Sequence, residues 1–252
     1  WRKLMNLEDR DCFCAASSGL HALMDRFDWD GINLAELYFE SLEGVANPAR
    51  FTPMNADVRA AFRAEAGFDP MEIFRGRKDG TAAFLDFRAR LAAKMQQEWL
   101  DEVRTLRRRK PHLEAVLTHV DDRFDTRMRD LIGADAARLL PLLERHDFTF
   151  LVEDPATIWH LGPQRYPRIA EKYAALTPHS GKLAIDINVV ERYQDVYPTK
   201  QQTGVELFQL VHLAAKAFPR VALYCENSIL KQDLDLLAAA TATVDRLEQA
   251  GS

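Results

Sequence analysis

The chain has 252 residues, enough for one large domain or two small ones. Its 47% hydrophobic and 28% charged residues argue against disorder, and a net charge of -5 gives no pull toward nucleic acid or an anionic membrane. No apolar run approaches the ~20 residues of a membrane helix, and three cysteines (Cys12, Cys14, Cys225) are too few for a disulfide framework.

Residues 14–27 carry the first helical pattern, after a candidate short strand at 3–7. A strand is expected over 31–37. An insertion at about 38–111 follows. It holds a helix at 56–66, with Asn55 placed to cap it and Gly67 to end it. It also holds a long helix at 81–109, where Phe84, Phe87, Leu91, Met95, Trp99, Val103 and Leu106 form one stripe before Pro111 stops the pattern. Further strands are expected over 112–119, 149–153, 182–188 and 220–226. Between and after them come helices at 134–146 (kinked at Pro141), 166–176, 204–217 and 230–248, the last capped by Asn227 or Ser228. The strands are short apolar runs without clean alternation, as in a parallel sheet buried on both faces.

Alternating strands and helices imply right-handed crossovers, in an open doubly wound sheet or a (β/α) barrel. No glycine-rich phosphate motif follows any strand, and no cofactor is expected. No repeat or linker divides residues 1–252, which read as a single barrel-type domain with the insertion.

Acid stands at the end of every expected strand: Glu36; Asp121 and Asp122 after His119; Glu153 and Asp154; Asp186 with Asn188; Glu226 with Asn227. In a barrel these ends share one mouth, where chemistry is done. Asp154, Asn227 and one of Asp121 or Asp122 have an alternative use as helix caps. Glu36, Glu153, Asp186 and Glu226 lie inside or at the end of the strand pattern, where a carboxylate is costly unless it has a function. Paired carboxylates suit glycoside cleavage or divalent-metal binding. The aromatics Tyr38, Phe39, Trp159, Tyr166, Tyr193, Tyr197 and Tyr224 near strand ends favour sugar, whose rings stack on such faces. His119 lacks the second nearby His of a zinc site, and no metal is expected.

Trp29-Asp30-Gly31-Ile32, with Glu36 five residues after Gly31, resembles TIM-barrel glycoside hydrolases. It is most similar to hydrolase domains associated with bacterial exopolysaccharides, of the poly-N-acetylglucosamine hydrolase type. That resemblance implies a TIM-type (β/α) barrel, a polysaccharide or oligosaccharide substrate and a periplasmic or extracellular setting. Glu36 falls at the place of the family's catalytic acid, although the family pairs Asp residues there and this chain has Glu36-Leu37. Similarity to the large retaining clan implies that the strand at 31–37 matches a fourth strand, Glu36 its acid/base and Asp186 its nucleophile, with Glu226 the competing second carboxylate. Asn33, Tyr38, Glu40, His119, Asp121, Asp122, Glu153, Trp159, Asn188 and Tyr224 are the expected substrate contacts.

The expected function is cleavage of a bacterial polysaccharide. The alternatives are a barrel that binds sugar without cleaving it and a metal-dependent lyase or isomerase using the same acids. Five strands do not close a barrel of eight, so the sheet is expected to be incomplete on its amino-terminal side. Further βα units are expected before Trp1.

Overall fold

A computed structural model describes residues 6, 8–39, 41–191 and 201–251. Glu40, Tyr193, Tyr197 and residues 3–5 and 7 of the candidate first strand lie outside the described residues. The chain is mixed α/β. Its strands are β1 (Gly31–Leu34), β2 (Glu114–Val120), β3 (Thr149–Glu153), β4 (Leu183–Asn188) and β5 (Arg220–Tyr224). They form a parallel sheet in the order β1-β2-β3-β4-β5, consistent with an incomplete α/β barrel. The chain divides into two compact units: Trp1–Val116 with Arg127–Asp147, and Leu117–Thr126 with Phe148–Ser252.

The first unit begins with α1 (Arg10–Arg26), whose start is fixed by the Asp9 carboxylate accepting the Asp11 and Cys12 amides. β1 follows and is three residues shorter than expected. At its start, the Glu114 amide donates to Asp30 O at 2.8 Å, and a Cβ on Gly31 would sit 3.3 Å from Glu114. The expected insertion contains α2 (Ala56–Ala66) and α3 (Thr81–Leu106). α2 ends at Gly67, in the left-handed conformation at φ 79°, but Asn55 makes no side-chain cap bond. Instead Asp69 opens a 3-10 helix, Pro70–Arg75, through a capping box with Glu72, and Arg59 and Arg63 pair with its carboxylate.

The stripe of α3 is buried except for Leu91, which is partly buried. Phe51, Val58, Phe62, Phe68, Ile73, Phe84 and Phe87 form one aromatic-rich cluster around it. Gly80 lies so close to Phe68 that a Cβ there would fall 2.4 Å from the ring. Arg88, on the same helix, is fully buried and donates to the Thr52, Asp130 and Leu131 carbonyls. The helix expected at 134–146 is instead α5 (Ala136–Leu139) and a 3-10 turn, Leu140–Glu144, preceded by α4 (Arg127–Ile132). Pro141 removes an amide that a continuous helix would need.

In the second unit, β3 and β4 pair from Phe150↔Leu183 to Glu153↔Asp186, and β4 and β5 from Ala184↔Arg220 to Asn188↔Tyr224. Phe150, Val152, Ile185 and Ile187 are fully buried. Helices α6 (Arg165–Ala174), α7 (Gly204–Ala217) and α8 (Leu234–Gly251) complete the unit, with α7 packing against α6, α8, β4 and β5. The Asp233 carboxylate accepts the Gly204 amide at the start of α7.

Candidate active site

The register places Glu153, Asp186 and Ala222 in one row across β3, β4 and β5, with Asn188 and Tyr224 in the next row toward the carboxyl ends. Side chains two residues apart on a strand share a face, so Asp186 and Asn188 lie on the same side of β4. Neighbouring parallel strands are only about 4.8 Å apart. Two carboxylates therefore stand side by side, and on the other flank Ala222 contributes no more than a methyl. Tyr224 is 63% exposed. The sheet ladder continues past it, the Val189 amide donating to Tyr224 O at 2.7 Å.

Asp186 is only 7% exposed. Burial, and then the neighbouring Asp154 charge, push its carboxyl up to about 6, against a bond from the Ile187 amide. Asp154 follows β3 and is itself buried. Burial raises its carboxyl as well, while Arg165 opposes the rise. Arg165 Nε meets Asp154 Oδ2 at 2.5 Å, whereas Oδ1 has no hydrogen-bond partner among the described residues.

The other acids of the unit are placed differently. Asp121 accepts the Arg123, Phe124 and Asp125 amides and so builds the turn after β2. Asp122 takes a 2.9 Å bond with His119 Nε2, an ion pair with Arg123 and a bond from the Tyr173 hydroxyl. Burial works against its charge, but His119 and Arg123 hold its carboxyl below the usual range. His119 and Trp159 are buried; the Trp159 indole donates to Asp154 O at 3.0 Å. Glu226 is exposed in a 3-10 turn, Glu226–Ser228, beyond the end of β5.

Glu36, Asn33 and Tyr38 belong to the first unit. Glu36 does not end a strand. It lies two residues past β1, exposed, with φ 56°, the one non-glycine residue with positive φ among those described. Asn33 is exposed on β1 and Tyr38 half-buried after it.

The structure thus brings together Glu153, Asp186, Asn188 and Tyr224 from the expected set. It adds Arg165 and Gln202, which had no recognised site role in the sequence, and Asp154 and Tyr166, read there only as a strand-end acid or helix cap and as a strand-end aromatic. Arg165 carried no signal there, because its partners at the strand ends, Asp154 and Gln202, lie 11 and 37 residues away. Among the described residues, no group of three or more His, Cys, Asp or Glu could hold a metal ion, and no helix is long and apolar enough to cross a membrane. No protein-family model matches the chain, and no curated protein matches it significantly.

Proposed function

We propose that the chain is a carbohydrate-active domain of TIM-type barrel architecture that hydrolyses a bacterial polysaccharide, with the Glu153–Asp186 pair doing the chemistry. The observation carrying this reading is that Asp186, at the carboxyl end of β4, stands in register with a second carboxylate and is buried enough to hold its proton near pH 6. A carboxylic acid that keeps its proton in this range is suited to general acid work. Asp186 would give its proton to the glycosidic oxygen as the bond to the anomeric carbon breaks. Glu153, as carboxylate, would attack that carbon or take a proton from the attacking water. This reverses the part that similarity to the retaining clan implies for Asp186. Tyr224 and Asn188, one row further out, offer a stacking face and a hydrogen-bonding amide for the sugar.

The test is release of reducing ends from N-acetylglucosamine oligomers. Asp186→Asn and Glu153→Gln should each lose on the order of 10²-fold or more in turnover, while Glu36→Gln should lose little. Loss confined to Glu36→Gln would return the acid role to that residue. Saturable oligomer binding, abolished in Tyr224→Ala and without any product, would favour a sugar-binding barrel. The exposed Tyr224 ring beside Asn188 is the observation that supports this second reading.

A further inference from the structure

One buried guanidinium reaches the ends of two strands of the second unit. Arg165, the first residue of α6, is 1% exposed. Its Nε holds Asp154, directly after β3, and one terminal nitrogen donates to Gly162 O at 2.8 Å. The other donates to the Tyr166 hydroxyl at 3.0 Å and to Gln202 Oε1 at 2.8 Å. Gln202 is fully buried. Its side-chain amide donates to Asn188 O at 2.6 Å and its backbone amide to Val190 O at 2.7 Å. The chain of contacts therefore runs from the end of β3, through Arg165 and Gln202, to the last residue of β4.

We propose that Arg165 is a positioning residue: with Gln202 it clamps the carboxyl ends of β3 and β4 together and so fixes where Asp186 and Asn188 stand. The inference rests on the reading of Asp186 as the acid. Arginine is required because it alone offers several donors in a fixed plane. A buried ion pair by itself is weak evidence of stabilisation, but this one also donates to the Tyr166 hydroxyl and to Gln202, whose amide in turn reaches β4. Among the described residues, the charged and titratable groups near Asp186 include its register partner Glu153, Asp154 after β3 and Tyr166 of α6, with Arg165 bonded to the last two. Arg220 of β5 lies one row away, opposite Ala184, with its guanidinium on Thr149. A shift in the clamp changes how closely the first four sit against Asp186 and how much water reaches it.

The test uses the full chain and needs no substrate for its main readout. Gln202→Met cuts the arm to β4 and leaves the Arg165–Asp154 pair in place. With carbon-13 carboxyl labelling, the Asp186 resonance is identified by its loss in Asp186→Asn and titrated in each protein. The expected result is a folded Gln202→Met variant whose Asp186 midpoint falls toward that of an ordinary carboxyl as water enters. Where hydrolysis is measurable, the limb of its pH profile should move with the midpoint. A folded variant with an unmoved midpoint would overturn the proposal, since a purely structural role changes melting and not titration. Should the variant fail to fold, hydrogen exchange on the parent decides. The Gln202 backbone amide, bonded to Val190 O, should exchange at least ~100-fold more slowly than exposed-loop amides, as closed structure does; loop-like rates would overturn the clamp. Absence of hydrolysis in the parent would sink the functional reading and leave the titration and exchange results standing.

Discussion

Asp186 on β4 and Glu153 on β3 are register partners. Burial, and then the Asp154 charge, raises the Asp186 carboxyl, so Asp186 is built to keep its proton beside its register partner.

The cost of charging Asp186 should be visible in stability. Its carboxyl is raised from an ordinary 3.8 to about 6 in the folded chain. Well below 3.8 the group is protonated whether the chain is folded or not. As pH rises from about 4 to about 6 the unfolded chain ionises while the folded one resists, so stability falls across that window and levels off above it. Asp186→Asn should therefore be more stable than the parent at pH 8, by on the order of 2–3 kcal/mol, and the gain should disappear well below pH 3.8. Urea unfolding at the two pH values checks this; a gain independent of pH would mean that Asp186 titrates normally.

Glu36 adopts a left-handed backbone at φ 56°, which costs an L-residue roughly 1–2 kcal/mol relative to a right-handed one. Glu36→Gly relieves that strain but frees the unfolded chain, so a net gain of up to ~1 kcal/mol is expected. Glu36→Gln keeps the strain and reports on the side chain's own contacts. Calorimetry on both separates backbone from side chain; a marked loss in Glu36→Gly would show that the Glu36 side chain is worth more to the fold than its conformation costs.

Burial lowers the Arg88 guanidinium to about 10, so it remains a cation at neutral pH. Arg88→Met fills similar space but strands the carbonyls of Thr52, Asp130 and Leu131. At ~1–3 kcal/mol for each unsatisfied buried group, a loss of at least ~3 kcal/mol is expected in denaturant unfolding. A loss under ~1 kcal/mol would mean that water reaches these carbonyls.

Gly80→Ala sets a methyl 2.4 Å from the Phe68 ring. Phe68 also carries the Arg77 guanidinium over its face, 3.9 Å from the ring centre, so the ring has little freedom to retreat. Overpacking of this kind costs ~1–3 kcal/mol. Adding Phe68→Leu to Gly80→Ala should recover part of that loss, and thermal unfolding of the double and single variants measures the coupling.

What could be read from sequence follows how local the signal was. The strand at Thr149–Glu153 has the bounds its apolar run suggests, as do the helix ended by Gly67 and the one at Gly204–Ala217. β1 reads too long because Ala35 and Leu37 continue the apolar run, and nothing in composition marks the left-handed turn at Glu36. Arg127–Ile132 was missed because a two-turn helix of mixed residues has little periodicity. For the acids, type and approximate position were legible, but not the environment. Asp121 and Asp122 look alike in sequence, yet one organises backbone amides and the other sits among His119, Arg123 and Tyr173. Asp154 would pass for a cap until Arg165 is seen beside it. Such differences depend on partners distant in the chain, which no local pattern encodes.

The stretch 38–111 is not portable. Of the acceptors that Arg88 uses, only Thr52 O would travel with a graft of those residues, because Asp130 and Leu131 lie beyond it. Asp86 would keep Arg90 and leave Arg129 and Arg138 behind, while the Gln96 amide would lose Leu37 O. Moved into another host, the segment would carry an undersupplied buried cation into surroundings that never evolved acceptors for it. Homologous recombination that respects this chemistry would exchange 38–111 together with 127–147, or neither.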